Sequence, residues 1–124
     1  MPEIAEIIEN IRTVFNNRSA KDQIFRDSLS GFEKTIAFTL KDNDSYWFQI
    51  SKGIVPSINK GIPLRSDIKL ISNTESLLAI LSGTLDPMKA MMTGKLKISG
   101  SIQDVVWLKK FLEKNREPIA SLLK

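Results

Sequence analysis

The sequence predicts an α+β fold in which helices lie over a mostly antiparallel sheet. Two patterns carry that reading: apolar residues recur at helical spacing at both ends of the chain and alternate at strand spacing between them, and strands come in runs followed by helices. At 124 residues, 42% apolar and 26% charged, the chain has the size of one domain spanning 1–124 and enough apolar residues for one core.

Ile4, Ile7, Ile8, Ile11, Val14 and Phe15 fall on one face of an opening helix, with Glu3, Glu6, Glu9 and Arg12 between them. The early glutamates suit the positive end of the helix dipole. Asn16-Asn17-Arg18-Ser19 reads as its end, residues 20–26 as a short second helix carrying Ile24 and Phe25, and 28–31 as a turn. From Phe32 to Leu40 the period becomes two, with Phe32, Ile36, Phe38 and Leu40 on one side. Asp42-Asn43-Asp44 turns the chain into a second alternating strand, 45–52, which makes a hairpin. A third strand is expected around 54–58, at an edge because Pro56 has no N–H to donate. The stretch 59–67, with Gly61 and Pro63, reads as a crossing loop.

Ile68 to Ile71 is a further strand, and Ser72 with Glu75 fits a capping box for a short helix that ends at Gly83. Asp86-Pro87 opens another, closed by Gly94. Residues 95–99 alternate as a last strand with Leu96 and Ile98 inward, and Ser101 caps a long helix through about Asn115. Pro118 then precedes an apolar tail of Ile119, Leu122 and Leu123.

The chain has no cysteine and no histidine, which excludes disulfides, thiolate nucleophiles, His-based triads and Cys/His zinc sites. Phosphate-cradling and nucleophile-elbow patterns are absent too, since Gly94-Lys95 is followed by Leu96. No enzyme activity, cofactor or metal is expected, and Asp42-Asn43-Asp44 lacks the glycine and bidentate glutamate of a calcium loop. Met1-Pro2-Glu3-Ile4-Ala5-Glu6 has no basic, apolar leader pattern, so the reading is cytoplasmic and unanchored. The net charge of +4 lies in the second half: residues 1–62 hold 8 charges of each sign, and 63–124 hold 10 basic and 6 acidic. Lys89, Lys95, Lys97, Lys109, Lys110, Lys114, Arg116 and Lys124 carry most of it, which fits an ordinary solvated surface as well as contact with an anionic membrane surface. No aromatic platform interleaves with them, so nucleic acid is not an expected partner.

A surplus of apolar residues in short elements is the main functional signal. Met88, Met91 and Met92 recur at i, i+3 and i+4 on a helix of about two turns. Periodicity alone fits a stripe that caps the core as well as one that faces a ligand. Ile102, Val105, Val106, Trp107, Leu108, Phe111 and Leu112 cover more of the last helix than one packed face needs.

The stretches Asp67-Ile68-Lys69-Leu70-Ile71-Ser72, Leu77-Leu78-Ala79-Ile80-Leu81-Ser82-Gly83-Thr84-Leu85-Asp86-Pro87-Met88-Lys89-Ala90 and Gly94-Lys95-Leu96-Lys97-Ile98-Ser99-Gly100 resemble the sterol carrier protein type-two family. The resemblance implies a five-stranded sheet covered by helices and enclosing an apolar tunnel. It implies a non-catalytic intracellular carrier of a fatty acyl chain, acyl-CoA, phospholipid or sterol-like ligand. It places Leu77, Leu81, Met88, Met91, Met92, Leu96, Ile98, Val105, Leu108 and Leu112 along the tunnel. Two departures stand out: Ser101 follows Gly100 where the family usually has Asp or Asn, and Ser121-Leu122-Leu123-Lys124 is not a Ser-Lys-Leu peroxisomal address. Without that address peroxisomal delivery is not expected and a prokaryotic cytosol is the simpler reading, and since prokaryotes commonly lack sterols, acyl lipids are favoured over sterol. The alternative is an interaction or oligomerisation domain on the same fold with a vestigial tunnel, and the oligomeric state stays open.

Overall fold

The computed structural model describes residues 4–114, without the side chains of Leu81 and of 112–114. The expected tail of Ile119, Leu122 and Leu123 lies outside the described residues. In chain order the elements are α1 (Ile4–Lys21), α2 (Gln23–Ser28), β1 (Lys34–Leu40), β2 (Ser45–Ile50), β3 (Ile58–Lys60), β4 (Ile68–Ser72), α3 (Thr74–Leu81), α4 (Pro87–Met92), β5 (Lys97–Gly100) and α5 (Ile102–Lys114). The five strands form one sheet in the order β3-β2-β1-β4-β5. Three ladders are antiparallel and the central one, β1 with β4, is parallel, pairing Ile36 with Ile68 and Phe38 with Leu70.

The helices pack on one face of this sheet. Strand alternation turns Ile36, Phe38 and Leu40 of β1, Ile50 of β2 and Ile68 of β4 inward, where all five are buried. Phe25 of α2 and Leu108 of α5 meet Ile36, Ile50 and Ile68, while Ile4 and Ile8 of α1 meet Phe38, Leu40 and Tyr46. Ile80 of α3 and Ala90 of α4 close on Leu96.

Several boundaries differ from the sequence reading, each for a tertiary reason. Asn16-Asn17-Arg18-Ser19 does not end the first helix, because Asn16 spends its side chain elsewhere: it donates to the Val55 carbonyl (2.9 Å) and accepts from the Val55 N–H (2.8 Å). An asparagine so engaged no longer competes for its own helix backbone. The same pairing removes Val55 from any ladder, so the third strand is Ile58–Lys60 instead of 54–58, and the crossing loop shortens to 61–67. The first strand begins at Lys34 instead of Phe32, whose ring stacks on Trp107 of α5 at 3.8 Å. Asn73, not Ser72, caps α3 by accepting from the Ser76 N–H (2.8 Å). Ser72 ends β4 and donates its buried hydroxyl to the Lys95 carbonyl (2.8 Å). The last strand is Lys97–Gly100, with Leu96 in the core just before it.

Gly100 allows β5 to close against the start of β4. A Cβ at this position would stand 2.7 Å from the Asp67 carbonyl oxygen, a backbone atom with little room to retreat. Gly100→Ala is therefore expected to lower stability by about 1–3 kcal/mol, read as a lower urea midpoint at unchanged slope. An unchanged midpoint would show that the strand shifts without cost.

A second clasp joins the β1–β2 turn to α3. The Thr74 backbone N–H donates to Asp42 Oδ1 at 2.8 Å and the Thr74 hydroxyl to the same atom at 3.1 Å. The backbone bond chiefly holds the Asp42 carboxyl below its ordinary range, with desolvation opposing and the hydroxyl assisting. A carboxyl depressed in the folded state contributes stability above its unfolded pKa of about 3.9 and loses it as pH falls through the lower, folded value. Between neutral pH and that window the native protein should exceed Asp42→Asn in stability, and the difference should vanish in stronger acid. A difference independent of pH would remove the carboxylate from the account.

Candidate functional site

Between the helical layer and the inner sheet face lies a cavity of about 170 Å³. Its floor is Ile36, Phe38, Phe48, Ile50, Ile58 and Leu70, six of the inward residues of β1 to β4. Helical spacing on α1 brings Ile8, Ile11 and Phe15 over it, α3 adds Leu77 and Ile80, and α5 adds Trp107, Leu108 and Phe111. Val55 and Leu96 complete the wall from the connecting segments. The volume is close to that of an engineered cavity of roughly 150 Å³ known to admit benzene. In the described arrangement it has room for part of a long acyl chain.

Aromatic rings close one side. Phe32 stacks on Trp107, Trp107 on Phe111 at 5.0 Å, and Phe111 meets Phe15 at 5.7 Å, with Phe25 edge-on to Phe15 at 5.4 Å. Offset and edge contacts of this kind add to simple burial. An ion pair from Lys34 to Asp104, 3.5 Å, fixes the first turn of α5 to β1 beneath these rings.

Arg12 is the charged residue on the wall. Among the described residues no polar surface faces the void, so Arg12 presents its aliphatic stem there. Its head points away: Nη1 donates to the carbonyls of Val55 (3.1 Å) and Pro56 (3.2 Å), and Nε donates to Glu9 Oε1 (2.6 Å). Arg12 and Asn16 together hold the 53–56 segment under α1 and so set the height of the wall on that side.

Of the residues placed along the tunnel by resemblance, Leu77, Leu96 and Leu108 line this cavity. Met91 and Ile98 pack on the Ile80–Ala90–Leu96 cluster instead, and Val105 is half-buried without being a lining residue. Met88 and Met92 face outward, 41% and 83% exposed, because fully buried Ala90 fixes the opposite side of α4 to the core. Leu81 and Leu112, also expected along the tunnel, have side chains outside the described residues. The surplus on α5 also resolves: Trp107, Leu108 and Phe111 turn inward, while Ile102 and Val106 face out. The sequence reading missed the first-half wall of Ile8, Ile11, Arg12, Phe15, Phe38 and Phe48. Its signal was present in the alternation of Ile36, Phe38, Phe48 and Ile50, since inward strand residues must face whatever the core contains.

Among the described residues no helix is long and apolar enough to cross a membrane, and no cluster of acidic side chains is placed to hold a metal ion.

A sequence profile of the SCP-2 sterol transfer family matches residues 15–113. Hydroxysteroid dehydrogenase-like protein 2 of Rattus norvegicus is 31% identical over 97 residues, which cover 77% of this chain and 18% of that protein. The chain thus spans between 18% and 23% of the length of such curated relatives. Among solved structures, the ubiquinone synthesis protein UbiJ-SCP2 superposes with a TM-score of 0.66 at 17% identity, covering 94% of this chain and 93% of that one. Palmitated SCP2L2 from Aedes aegypti superposes with a TM-score of 0.64 at 18% identity, covering 90% and 95%. With the family profile matching most of its length, the chain belongs to the SCP-2 sterol transfer family.

Proposed function

We propose that the protein is a non-catalytic lipid carrier that holds an acyl chain in the cavity between α1, α3, α5 and the sheet. The observation that carries this is the wall itself, which exposes no polar surface to the void. Each methylene moved from water into such a space gains about 0.8 kcal/mol, so an acyl chain binds without specific polar contacts. The lining residues include no nucleophile, and Arg12 turns its head away; both features support carriage over chemistry. The palmitate of the mosquito relative points to the same class of cargo. Acyl lipids fit better than sterols because a flexible chain threads between side chains that shift singly, whereas a rigid ring system needs its full volume at once. Lengthening the cavity into a tunnel then requires movement of the α5 aromatic rings or of α1.

Native mass spectrometry of gently purified protein, before and after solvent extraction, tests the reading. Adducts of lipid mass that vanish on extraction and return with palmitate or acyl-CoA are expected. A bare protein mass that no lipid changes would overturn it, and a mass that doubles with concentration would favour an interaction domain instead.

A further inference from the structure

Among the described residues, no helix packs on the second face of the sheet. By strand alternation Thr35, Ala37 and Thr39 of β1, Trp47 of β2, Lys69 and Ile71 of β4 and Lys97 of β5 point away from the three apolar clusters. The 61–67 connection crosses this outer face. It leaves one end of the sheet with the Gly61 N–H donating to the Ser45 carbonyl (2.7 Å) and arrives at the other with the Asp67 N–H donating to the Thr35 carbonyl (2.8 Å). On the way Pro63, Leu64 and Arg65 share a shallow groove with Thr35 and Lys69. The connection does not fold its apolar side chains down onto the sheet. Ile62 is 76% exposed and Leu64 is fully exposed at 106%.

We propose that this crossing segment and the outer sheet face dock the protein on an anionic bilayer, with Ile62 and Leu64 entering the headgroup region above Arg65, Lys69 and Lys97. The inference deepens the carrier reading and rests on it, since a bilayer is a source and a sink for acyl lipids. Charge complementarity selects the partner. Lys69 and Lys97 stand on the same face, Arg65 shares the groove with Lys69, all three are exposed, and among the described residues none is in an ion pair. The groove also holds one acidic side chain, Asp67, which accepts from the Thr35 N–H at 2.8 Å and stands against two cations there, Arg65 and Lys69. An acidic protein or a nucleic acid would satisfy these cations and leave two protruding aliphatic tips in water. A bilayer interface takes both, and Pro63 between the tips restricts the backbone that must be ordered there. The basic excess of the second half is thereby divided: Lys69 and Lys97 lie on the outer sheet face, whereas Lys89 and Lys110 lie on α4 and α5.

The helical side holds a built-in competitor, because Met92 on α4 and Ile102 on α5 are 83% and 84% exposed. Sedimentation with phosphatidylcholine vesicles, with and without phosphatidylserine, separates the two. The native protein is expected to bind the phosphatidylserine vesicles and to release as salt shortens the screening length. Ile62→Ser with Leu64→Ser, and separately Arg65→Ser with Lys69→Ser, should each weaken binding by about tenfold or more. Ile24→Ser, an equally bare position on α2 (79% exposed), should change nothing. All the substituted side chains sit in solvent or at the surface, and palmitate uptake measured on the same samples confirms that each variant is folded and loaded. Native protein that takes up palmitate and ignores phosphatidylserine vesicles would overturn the proposal. So would binding that survives the Ile62 and Leu64 changes and is lost in Met92→Ser with Ile102→Ser. Vesicle binding through Ile62 and Leu64 by a protein that takes up no palmitate would sustain the docking surface and overturn the carrier reading alone.

Discussion

Truncating Ile68 to alanine is expected to remove about 2–5 kcal/mol of unfolding free energy, out of roughly 5–15 kcal/mol for a domain. Ile68 is fully buried in β4, with Ile36 beside it on one side and Gly100 on the other. It packs in the cluster with Phe25, Leu29, Ile50 and Leu108 and does not line the cavity. The space left by its side chain would therefore be a new void within a hydrogen-bonded sheet that cannot close around it. Urea unfolding followed by tryptophan fluorescence checks this, with a lower midpoint and an unchanged slope as the expected pattern. Ile68→Val should retain most of the stability, at a cost of about 0.5–1.5 kcal/mol. An alanine variant that loses less than the valine variant would remove Ile68 from the core account.

Leu77→Trp is expected to act on cargo while largely sparing the fold. Leu77 reaches the cavity from α3 and is half-buried, so a larger side chain grows into empty space and not into a packed neighbour. An indole there displaces room for two to three methylenes, about 2 kcal/mol of transfer free energy and about 30-fold in affinity. Titration of a fluorescent fatty acid should show that loss, and the thermal midpoint should stay within a few degrees of the native one. Met92→Trp, on the outward side of α4, is the matched control and should bind as the native protein does. The opposite pattern, weakened binding at Met92→Trp with none at Leu77→Trp, would move the cargo out of the cavity.

Strand alternation made the sheet legible from residues alone: Ile36, Phe38 and Leu40 were readable as an inward row, and the structure buries all three. Helix boundaries were less legible wherever a distant residue decides them. Asn16 looks like a helix end in sequence, but its side chain is bonded twice to Val55, 39 residues away, and the helix runs on to Lys21. Asn73 and Ser72 are adjacent capping candidates, and the choice falls to Asn73 because Ser72 is drawn to Lys95 across the sheet. The cavity shows the same limit. The motifs that carry the resemblance lie in the second half, so the expected site lay there too, whereas Phe15, Phe38 and Phe48 supply much of the wall. A methionine stripe defines a helix face but not its direction. On α4 it is Ala90, small enough to sit against Ile80 and Leu96, that turns Met88 and Met92 outward.

The parallel pairing of β1 with β4 at the centre of the sheet also orders events on the ribosome. β1 and β2 form a local hairpin as soon as they emerge, but the other edge of β1 finds its partner only after β3 and the 61–67 connection have been synthesised. Until then the nascent chain carries an open strand edge beside Ile36, Phe38 and Leu40, the condition under which chains pair with the wrong neighbour. A contact that spans this much chain costs loop-closure entropy before it contributes stability, which slows folding relative to a local hairpin. A chain released before β4 would be prone to aggregate, whereas two halves cut within 61–67 and produced together would have complementary edges with which to reassemble.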